Sequence, residues 1–164
     1  MADLKAKYGA DGQAIACSLA SLGSSATAGR ASAAIDNSTN LFLDALVFLQ
    51  VRTGSGAIGN DKAVYVYAWG IVDATAGPTY PDAVTGSDAA VTLNDPTQLP
   101  LLGVVFCPAA TTTYKAGPWS VASCFGGVLP QKWGIVVRNY TGIALSATEG
   151  DHKKLYQGIL AQIV

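Results

Sequence analysis

The chain has 164 residues, which is enough for one domain whose hydrophobic core needs no disulfide or metal to hold it. Its net charge of −1 excludes the strongly basic surface needed to bind nucleic acid or an anionic membrane. No apolar run reaches the roughly 20 residues of a membrane-spanning helix. Charged residues are only 13% of the sequence, against a usual share of about 25%, so we expect part of the surface to be hidden against a partner.

The first element in chain order is an extended arm, predicted for residues 1–13 because they are polar and show no sustained period. Residues 14–164 are predicted to form a single β-sandwich domain, since no linker or internal repeat divides them. The opening residues have no apolar core, so no secretory signal is expected. Ala14–Leu22 predicts a weak strand with its odd-numbered residues on one face. Gly23–Ala34 predicts a loop that leads into a short edge strand near Ile35.

Residues Leu41–Arg52 predict a strand that lies with one face on a core. Every second position on that face is apolar: Leu41, Leu43, Ala45, Val47, Leu49 and Val51. The intervening positions mix apolar and polar residues, as on a face that is partly wet. Asn37, Ser38 and Thr39 can cap a helix, so a helix over the same residues is the alternative.

Residues Lys62–Asp73 predict a second strand, and both of its faces are apolar. One face carries Tyr65, Tyr67 and Trp69, while the other carries small aliphatic side chains. In a two-sheet sandwich only one face of a strand meets the core, so a loop, a terminal arm or another subunit must cover the second. We expect Tyr65, Tyr67 and Trp69 to be interface residues of a homodimer or homotrimer, with cover by the chain's own loop as the alternative.

The turn between these two strands, Gly54–Gly59, matches the G-x-G-x-x-G pattern of dinucleotide-binding loops. That pattern binds a pyrophosphate only where a helix begins after it, because the helix N-terminus supplies the N–H donors. Here a strand follows. A hairpin turn is therefore predicted, and no nucleotide cofactor is expected.

Residues Asp73–Gln98 form the longest irregular stretch, with one short strand predicted at Ala90–Leu93. Loops of this length are usually functional or are ordered by a partner. Four aspartates lie in this stretch: Asp73, Asp82, Asp88 and Asp95. Carboxylates suit Ca²⁺, but the spacing fits no EF-hand loop and aspartate also forms turns. No metal is predicted, although the sequence leaves a Ca²⁺ site open.

Four more strands are predicted in the rest of the chain, bounded by proline, glycine or polar turns. They cover Leu99–Cys107, Tyr114–Phe125, Lys132–Tyr140 and Leu155–Val164. Short strands, many turns and the lack of a helical period indicate an all-β protein, an antiparallel β-sandwich of about eight strands. That number is also the jelly-roll count, so the fold is predicted to be jelly-roll-like.

Few residues are suited to catalysis. His152 is the only histidine and lies among charged neighbours, which predicts a solvated loop residue. No Gly-x-Ser-x-Gly nucleophile elbow occurs. Cys17, Cys107 and Cys124 are an odd number in apolar stretches, which predicts buried, reduced thiols and a reducing compartment. We therefore expect no enzymatic activity and no cofactor.

Five strings of the sequence resemble a set of tailed-bacteriophage proteins that are mostly labelled as virion structural or uncharacterised proteins. The strings are Leu4–Gly9, Asp36–Leu46, Tyr114–Ala122, Phe125–Pro130 and Trp133–Val137. The resemblance covers nearly the whole chain and contains no catalytic motif. It implies a virion component, and the predicted sandwich is similar to the capsid decoration, or cement, proteins of such phages.

The resemblance and the apolar surface together predict a capsid cement protein that stabilises the head by bridging major capsid subunits. It would be assembled in the host bacterial cytoplasm and reside in the virion. The first alternative is a tail or head–tail connector protein with the same fold. The second is a carbohydrate-binding module that uses strand aromatics, including Trp119 and Trp133, as a platform for sugars.

Overall fold

The computed structural model describes residues 3–73 and 79–164. Across these residues it has eleven strands: β1 (Leu4–Tyr8), β2 (Gln13–Ala14), β3 (Ala28–Ala31), β4 (Ile35–Asp36), β5 (Asp44–Arg52), β6 (Ala63–Ile71), β7 (Ala89–Thr92), β8 (Leu101–Phe106), β9 (Thr113–Ser120), β10 (Lys132–Tyr140) and β11 (Lys153–Ile163). The helical segments in these ranges are two short 3-10 turns, Ala122–Phe125 and Glu149–Asp151. Neither turn is long and apolar enough to cross a membrane.

The strands form two antiparallel sheets that pack face to face. The five-stranded sheet has the order β1-β11-β5-β9, with β2 also paired to β11. The six-stranded sheet has the order β7-β3-β10-β6-β8, with β4 also paired to β10. The prediction of an all-β antiparallel sandwich is confirmed. The jelly-roll arrangement is not confirmed by this strand order.

The central core lies between the two sheets and is built from period-two alternation. In β5 the predicted face is confirmed, because Ala45, Val47, Leu49 and Val51 are fully buried while the alternate residues are not. β6 contributes small aliphatic side chains to the core, and β10 contributes Trp133, Ile135 and Val137. Each large apolar side chain buried in this way stabilises the fold by about 1.5–3 kcal/mol relative to exposure.

Strands β5 and β6 are neighbours in the sequence but lie in different sheets, so the hairpin predicted at Gly54–Gly59 is wrong. The loop instead crosses from one sheet to the other. Thr53 forms a bridge to Leu145, and Gly54 passes so close to the 144–145 backbone that a Cβ would lie 2.7 Å from the Ala144 carbonyl oxygen. The glycine-rich composition of a turn predicts that the chain changes direction, but it does not predict which strands pair.

The predicted strand Leu41–Arg52 begins only at Asp44. The Asn37 side chain closes a turn by donating to the Phe42 carbonyl at 2.9 Å and accepting from the Phe42 N–H at 2.8 Å. Leu41 has φ of 53° within this turn, and both Leu41 and Leu43 are exposed. The helix considered as an alternative for these residues is therefore wrong.

Residues 15–22 are not a strand, although Ile15, Cys17 and Leu19 are buried as their alternation predicts. Two distant carboxylates take the place of a β-ladder. Both Asp88 oxygens accept from the Ser18 N–H at 3.1 Å, and one Glu149 oxygen accepts from the N–H groups of Leu19 and Ala20 at 2.8 and 2.7 Å. We name residues 15–20 the clamped segment.

The first strand belongs to the segment 1–13 that was predicted as an extended arm. β1 pairs with the second half of β11, from Leu4 opposite Ile163 to Tyr8 opposite Ile159. Because β5 begins at Asp44, opposite Ile159, the rest of this pair projects beyond β5. Every residue of β1 is exposed. We name β1 and residues 159–163 of β11 the ribbon.

All three cysteines are free. Cys17 and Cys107 are buried as predicted, and burial raises the pKa of each thiol to about 12. Cys124 is only half-buried, so the expectation of three buried thiols is wrong for this residue. It follows the end of β9, where the chain has already left the sheet.

Candidate functional site

The three predicted interface residues lie on β6, on the outer face of the six-stranded sheet. Trp69 is fully buried, Tyr67 is 7% exposed and Tyr65 is half-buried. A second apolar cluster covers this face. Besides Tyr67 and Trp69, its buried members are Ala31, Val84, Val91, Leu93, Leu99 and Val136.

The chain's own loop between β6 and β8 supplies most of this cover. Tyr80 meets the Trp69 ring edge-on, with the ring centroids 5.6 Å apart. Asp82 holds the loop together by accepting hydrogen bonds from the Asn94 N–H at 2.9 Å and the Thr97 hydroxyl at 2.7 Å. We name residues 79–99 the cover loop.

Asp88 ties the cover loop to the sheet and to the clamped segment. One of its oxygens lies 2.5 Å from Arg30 Nε, and the other accepts from the Ser18 hydroxyl at 2.6 Å. Burial alone would raise the pKa of Asp88, but hydrogen bonds from Arg30 and Ser18 outweigh it, and the pKa is lowered. The carboxylate is therefore held in its charged form where the three segments meet.

Cover by the chain's own loop was the alternative to a subunit interface on β6, and the structure shows that cover. Trp69 and Tyr67 are core side chains of a single chain, so this face no longer requires a second subunit. Tyr65 is the partly exposed member of the set. Its hydroxyl donates to Asp61 at 2.6 Å, and the Arg138 guanidinium lies 4.6 Å from its ring centroid.

Two of the three tryptophans are fully buried and are not available as a platform for sugars. Trp69 and Trp133 are fully buried, and Trp133 packs edge-on against Tyr156 with centroids 5.3 Å apart. Trp119 is half-buried against Gly103, where a Cβ would lie 2.2 Å from the indole. Of the aromatic residues on which the carbohydrate-binding alternative depended, Trp69, Trp133 and Tyr67 are buried, and Tyr65 and Trp119 stay partly exposed.

His152 is buried, so the prediction of a solvated loop residue is wrong. Its Nδ1 accepts from the Arg52 N–H at 3.3 Å, and its Nε2 lies 3.1 Å from the Ser146 carbonyl oxygen. These partners place the ring proton on Nε2. The Ser146 hydroxyl donates to Asp151 at 2.6 Å rather than to the imidazole, so these residues do not form a nucleophile and its base.

A polar cavity of about 560 Å³ lies beside this histidine, where the Gly54–Gly59 loop meets residues 144–151. Arg52 and Asp151 both line it and form an ion pair, with Nη1 and Oδ2 3.6 Å apart. A strand follows the glycine loop, so the N–H donors of a helix N-terminus are not present for a pyrophosphate. The residues of the structure that are described contain no cluster of three acidic, histidine or cysteine side chains suited to a metal.

Two edges of the sandwich carry exposed apolar side chains. On β8 these are Leu101, Val104 and Phe106, and the strand contains no charged residue. On the ribbon they are Leu4, Tyr8 and Ile163. Because β8 packs against β9 and β1 lies at the other end of the five-stranded sheet, the two edges are on opposite sides of the sandwich.

The outer face of the five-stranded sheet carries a third apolar surface, which sequence reasoning missed. Leu46, Phe48 and Leu155 line an open groove of about 220 Å³ there, next to Pro118. The available signal was the mixed face of β5, where two large apolar residues stand among polar ones. Comparison of the chain with protein-family models, with curated proteins and with solved structures found no match.

Proposed function

We propose that the protein is a non-enzymatic structural component of a tailed-bacteriophage virion, a capsid cement protein that bridges major capsid subunits. The observation that supports this role best is the pair of exposed apolar edges on opposite sides of one rigid sandwich. A single such edge would serve to attach the protein to one neighbour. Two edges on opposite sides are what a bridge between two neighbours requires.

The β8 edge is the stronger of the two candidates for a capsid contact. Soluble proteins usually protect an edge strand with charged residues, proline or a covering segment. β8 carries none of the charged residues and exposes Phe106 at 61% of its surface. Burying large apolar side chains of this kind contributes about 25 cal/mol per Å² before the costs of association are subtracted.

The ribbon supports the same role from the other side. A two-stranded antiparallel ribbon is marginally stable on its own in water, because neither face is packed. One face of this ribbon is apolar, with Leu4, Tyr8 and Ile163, while β1 also carries Lys5 and Lys7 on the alternate positions. Contact with a capsid subunit would cover the apolar face and leave the lysines to water.

The test is to determine whether the protein is present in purified virions of the phage that encodes it. Mass spectrometry of separated heads and tails should find it in heads, at a copy number in fixed proportion to the major capsid protein. Presence in tails alone would favour the tail or connector alternative. Absence from intact particles would overturn a virion role.

A matched pair of variants tests the β8 edge. Phe106→Glu should reduce retention of the protein on heads, because it places a charge in the apolar contact. Val72→Glu is the control, since Val72 is 97% exposed and lies outside both edges. Equal retention of the two variants would remove β8 from the proposed contact. Self-association as a homodimer or homotrimer stays a separate prediction.

A further inference from the structure

The outer face of the five-stranded sheet has an apolar centre. Phe48 on β5 lies opposite Leu155 on β11, so the two side chains stand side by side on this face. Leu46 lies two residues further along β5, and Pro118 completes the groove on the β9 side. All of these side chains are half-buried or exposed.

The two ends of this face carry opposite charges. Gln50 of β5 pairs with Lys153 on one side and Lys115 on the other, so both lysines lie at one level of the sheet. Arg52 follows on β5 at the same end, where it also pairs with Asp151 at 3.6 Å, so the net positive charge of this end is carried by the two lysines. At the other end, Asp44 lies on the outer face of β5, like Leu46 and Phe48. Asp11 also lies at this end, because it accepts a hydrogen bond from Gln157, which is opposite Leu46.

These charges distinguish two ways of packing two copies face to face. A two-fold axis along the strands would place β11 over β9 of the second copy, with Lys153 facing Lys115. A two-fold axis across the strands, level with Phe48, places each strand over itself in the opposite direction. Arg52 and Asp44 lie four residues on either side of Phe48, so Arg52 of one copy faces Asp44 of the other across the interface. In the same way, Lys153 of one copy lies opposite Gln157 and Asp11 of the other.

We propose that this face binds a second copy of the chain in the crossed-axis arrangement, as an antiparallel two-fold dimer. The partner is a second copy because the face is complementary to itself in charge. The surface is distinct from the two edges of the proposed capsid contact, so the proposal goes beyond that function.

The size of the face sets the strength of the dimer. Three long strands, β11, β5 and β9, form this face; at about 4.8 Å apart and roughly nine residues of about 3.3 Å each, they cover about 430 Å². Two copies then bury about 860 Å², which is in the range of weak, transient interfaces. The dimer is therefore expected to dissociate on dilution. The strand directions of two sheets packed face to face differ by about 30°, and the long lysine and arginine side chains can span the resulting offset.

Sedimentation velocity of the purified protein, from about 1 µM to about 1 mM, tests the dimer. The mass should rise from one chain to two across this range. Phe48→Glu should weaken dimerisation by about thirtyfold or more, as for a central hot-spot residue. Phe106→Glu is the matched control on the β8 edge, and it should leave the dissociation constant unchanged within about twofold.

Charge reversal tests the arrangement and does not disturb the core, since Lys153 and Asp11 are both exposed. Lys153→Glu and Asp11→Lys should each weaken the dimer, and the double variant should restore it. A monomer at every concentration would overturn the proposal, as would greater sensitivity to Phe106→Glu than to Phe48→Glu. Tighter association of Lys153→Glu would indicate the other axis and also overturn it. None of these results depends on whether the protein is found in virions.

Discussion

On the outer face of the six-stranded sheet Trp69 is fully buried beneath the cover loop, whereas on the outer face of the five-stranded sheet Phe48 stays half exposed. Both faces carry large apolar side chains. The difference is that the long connection between β6 and β8 returns over its own sheet, and the groove beside Phe48 remains open. The same kind of surface therefore contributes to folding on one side and is free for association on the other.

This comparison limits what can be inferred from a strand with two apolar faces. The two faces of β6 indicate correctly that both are covered, but they do not say what covers them. The mixed face of β5 looks as though it needs no cover, since the polar residues Asp44, Gln50 and Arg52 flank Leu46 and Phe48. The surface that is open to a partner lies on β5, although the residue pattern of β6 gave the stronger reason to expect one.

The largest expected difference between the two faces is in stability. Trp69→Ala should lower the free energy of unfolding by about 3–5 kcal/mol, because it leaves a cavity in the second apolar cluster. Phe48→Ala should lower it by only about 1 kcal/mol, because that side chain is already partly in water. Urea denaturation at a dilution where the protein is monomeric gives both values. Equal losses would contradict the division into a covered and an open face.

A smaller effect is expected from loosening the cover without emptying the cluster. Asp88→Asn removes the charge that holds Arg30 and the Ser18 hydroxyl, and should cost about 1–3 kcal/mol. The same change at exposed Asp95 is the control, and should stay within about 0.5 kcal/mol. Similar values for the two variants would show that the cover loop does not depend on Asp88.

Acid should weaken the covered side of the molecule. The pKa of Asp82 and the pKa of Asp88 are both lowered from the ordinary value of 3.8, because their hydrogen bonds outweigh the effect of burial. Their contribution to stability is therefore complete above about pH 4 and is lost as the pH falls through the lowered values. The free energy of unfolding, measured from pH 7 down to about pH 2, should fall less steeply in Asp88→Asn than in the wild type. Parallel curves would count against this linkage.

The smallest effect is local and is measured by thiol labelling. Cys17 lies next to Ser18 in the clamped segment, whereas Cys107 lies deep between the sheets, away from Asp88. Asp88→Asn should therefore speed the labelling of Cys17 and leave Cys107 unchanged. Half-buried Cys124 should react first in both proteins. Faster labelling of Cys107 as well would indicate global unfolding and not release of the clamped segment.

Much of the strand content can be predicted from alternation alone. Lys132–Tyr140 is a strand over its predicted bounds, because a period of two with large side chains on one face favours a strand that packs that face on a core. Strand β3 was missed within the predicted loop Gly23–Ala34, since it consists of small residues. Gly29 lies so near β10 that a Cβ would sit 2.8 Å from the Val137 carbonyl oxygen, so the missing side chain is itself what lets the strands meet.

The candidate sites were less predictable, because they depend on contacts between distant parts of the chain. The charged neighbours of His152 suggested solvent, yet its ring is enclosed by the backbone of residues 52 and 146. The aspartates of the long loop suggested turns or a metal. In the structure, Asp82 and Asp88 instead accept hydrogen bonds from backbone N–H groups of distant residues, Asn94 and Ser18. No residue spacing in the sequence predicts such contacts.

The pairing of Leu4 with Ile163 has a consequence for the order in which the protein is made and folds. A ribosome releases β1 long before it has synthesised the strand that β1 needs. Contacts between residues so far apart in sequence form late and slowly, because nearly the whole chain must be in place before they close. During that time Leu4 and Tyr8 are available to chaperones and to other nascent chains.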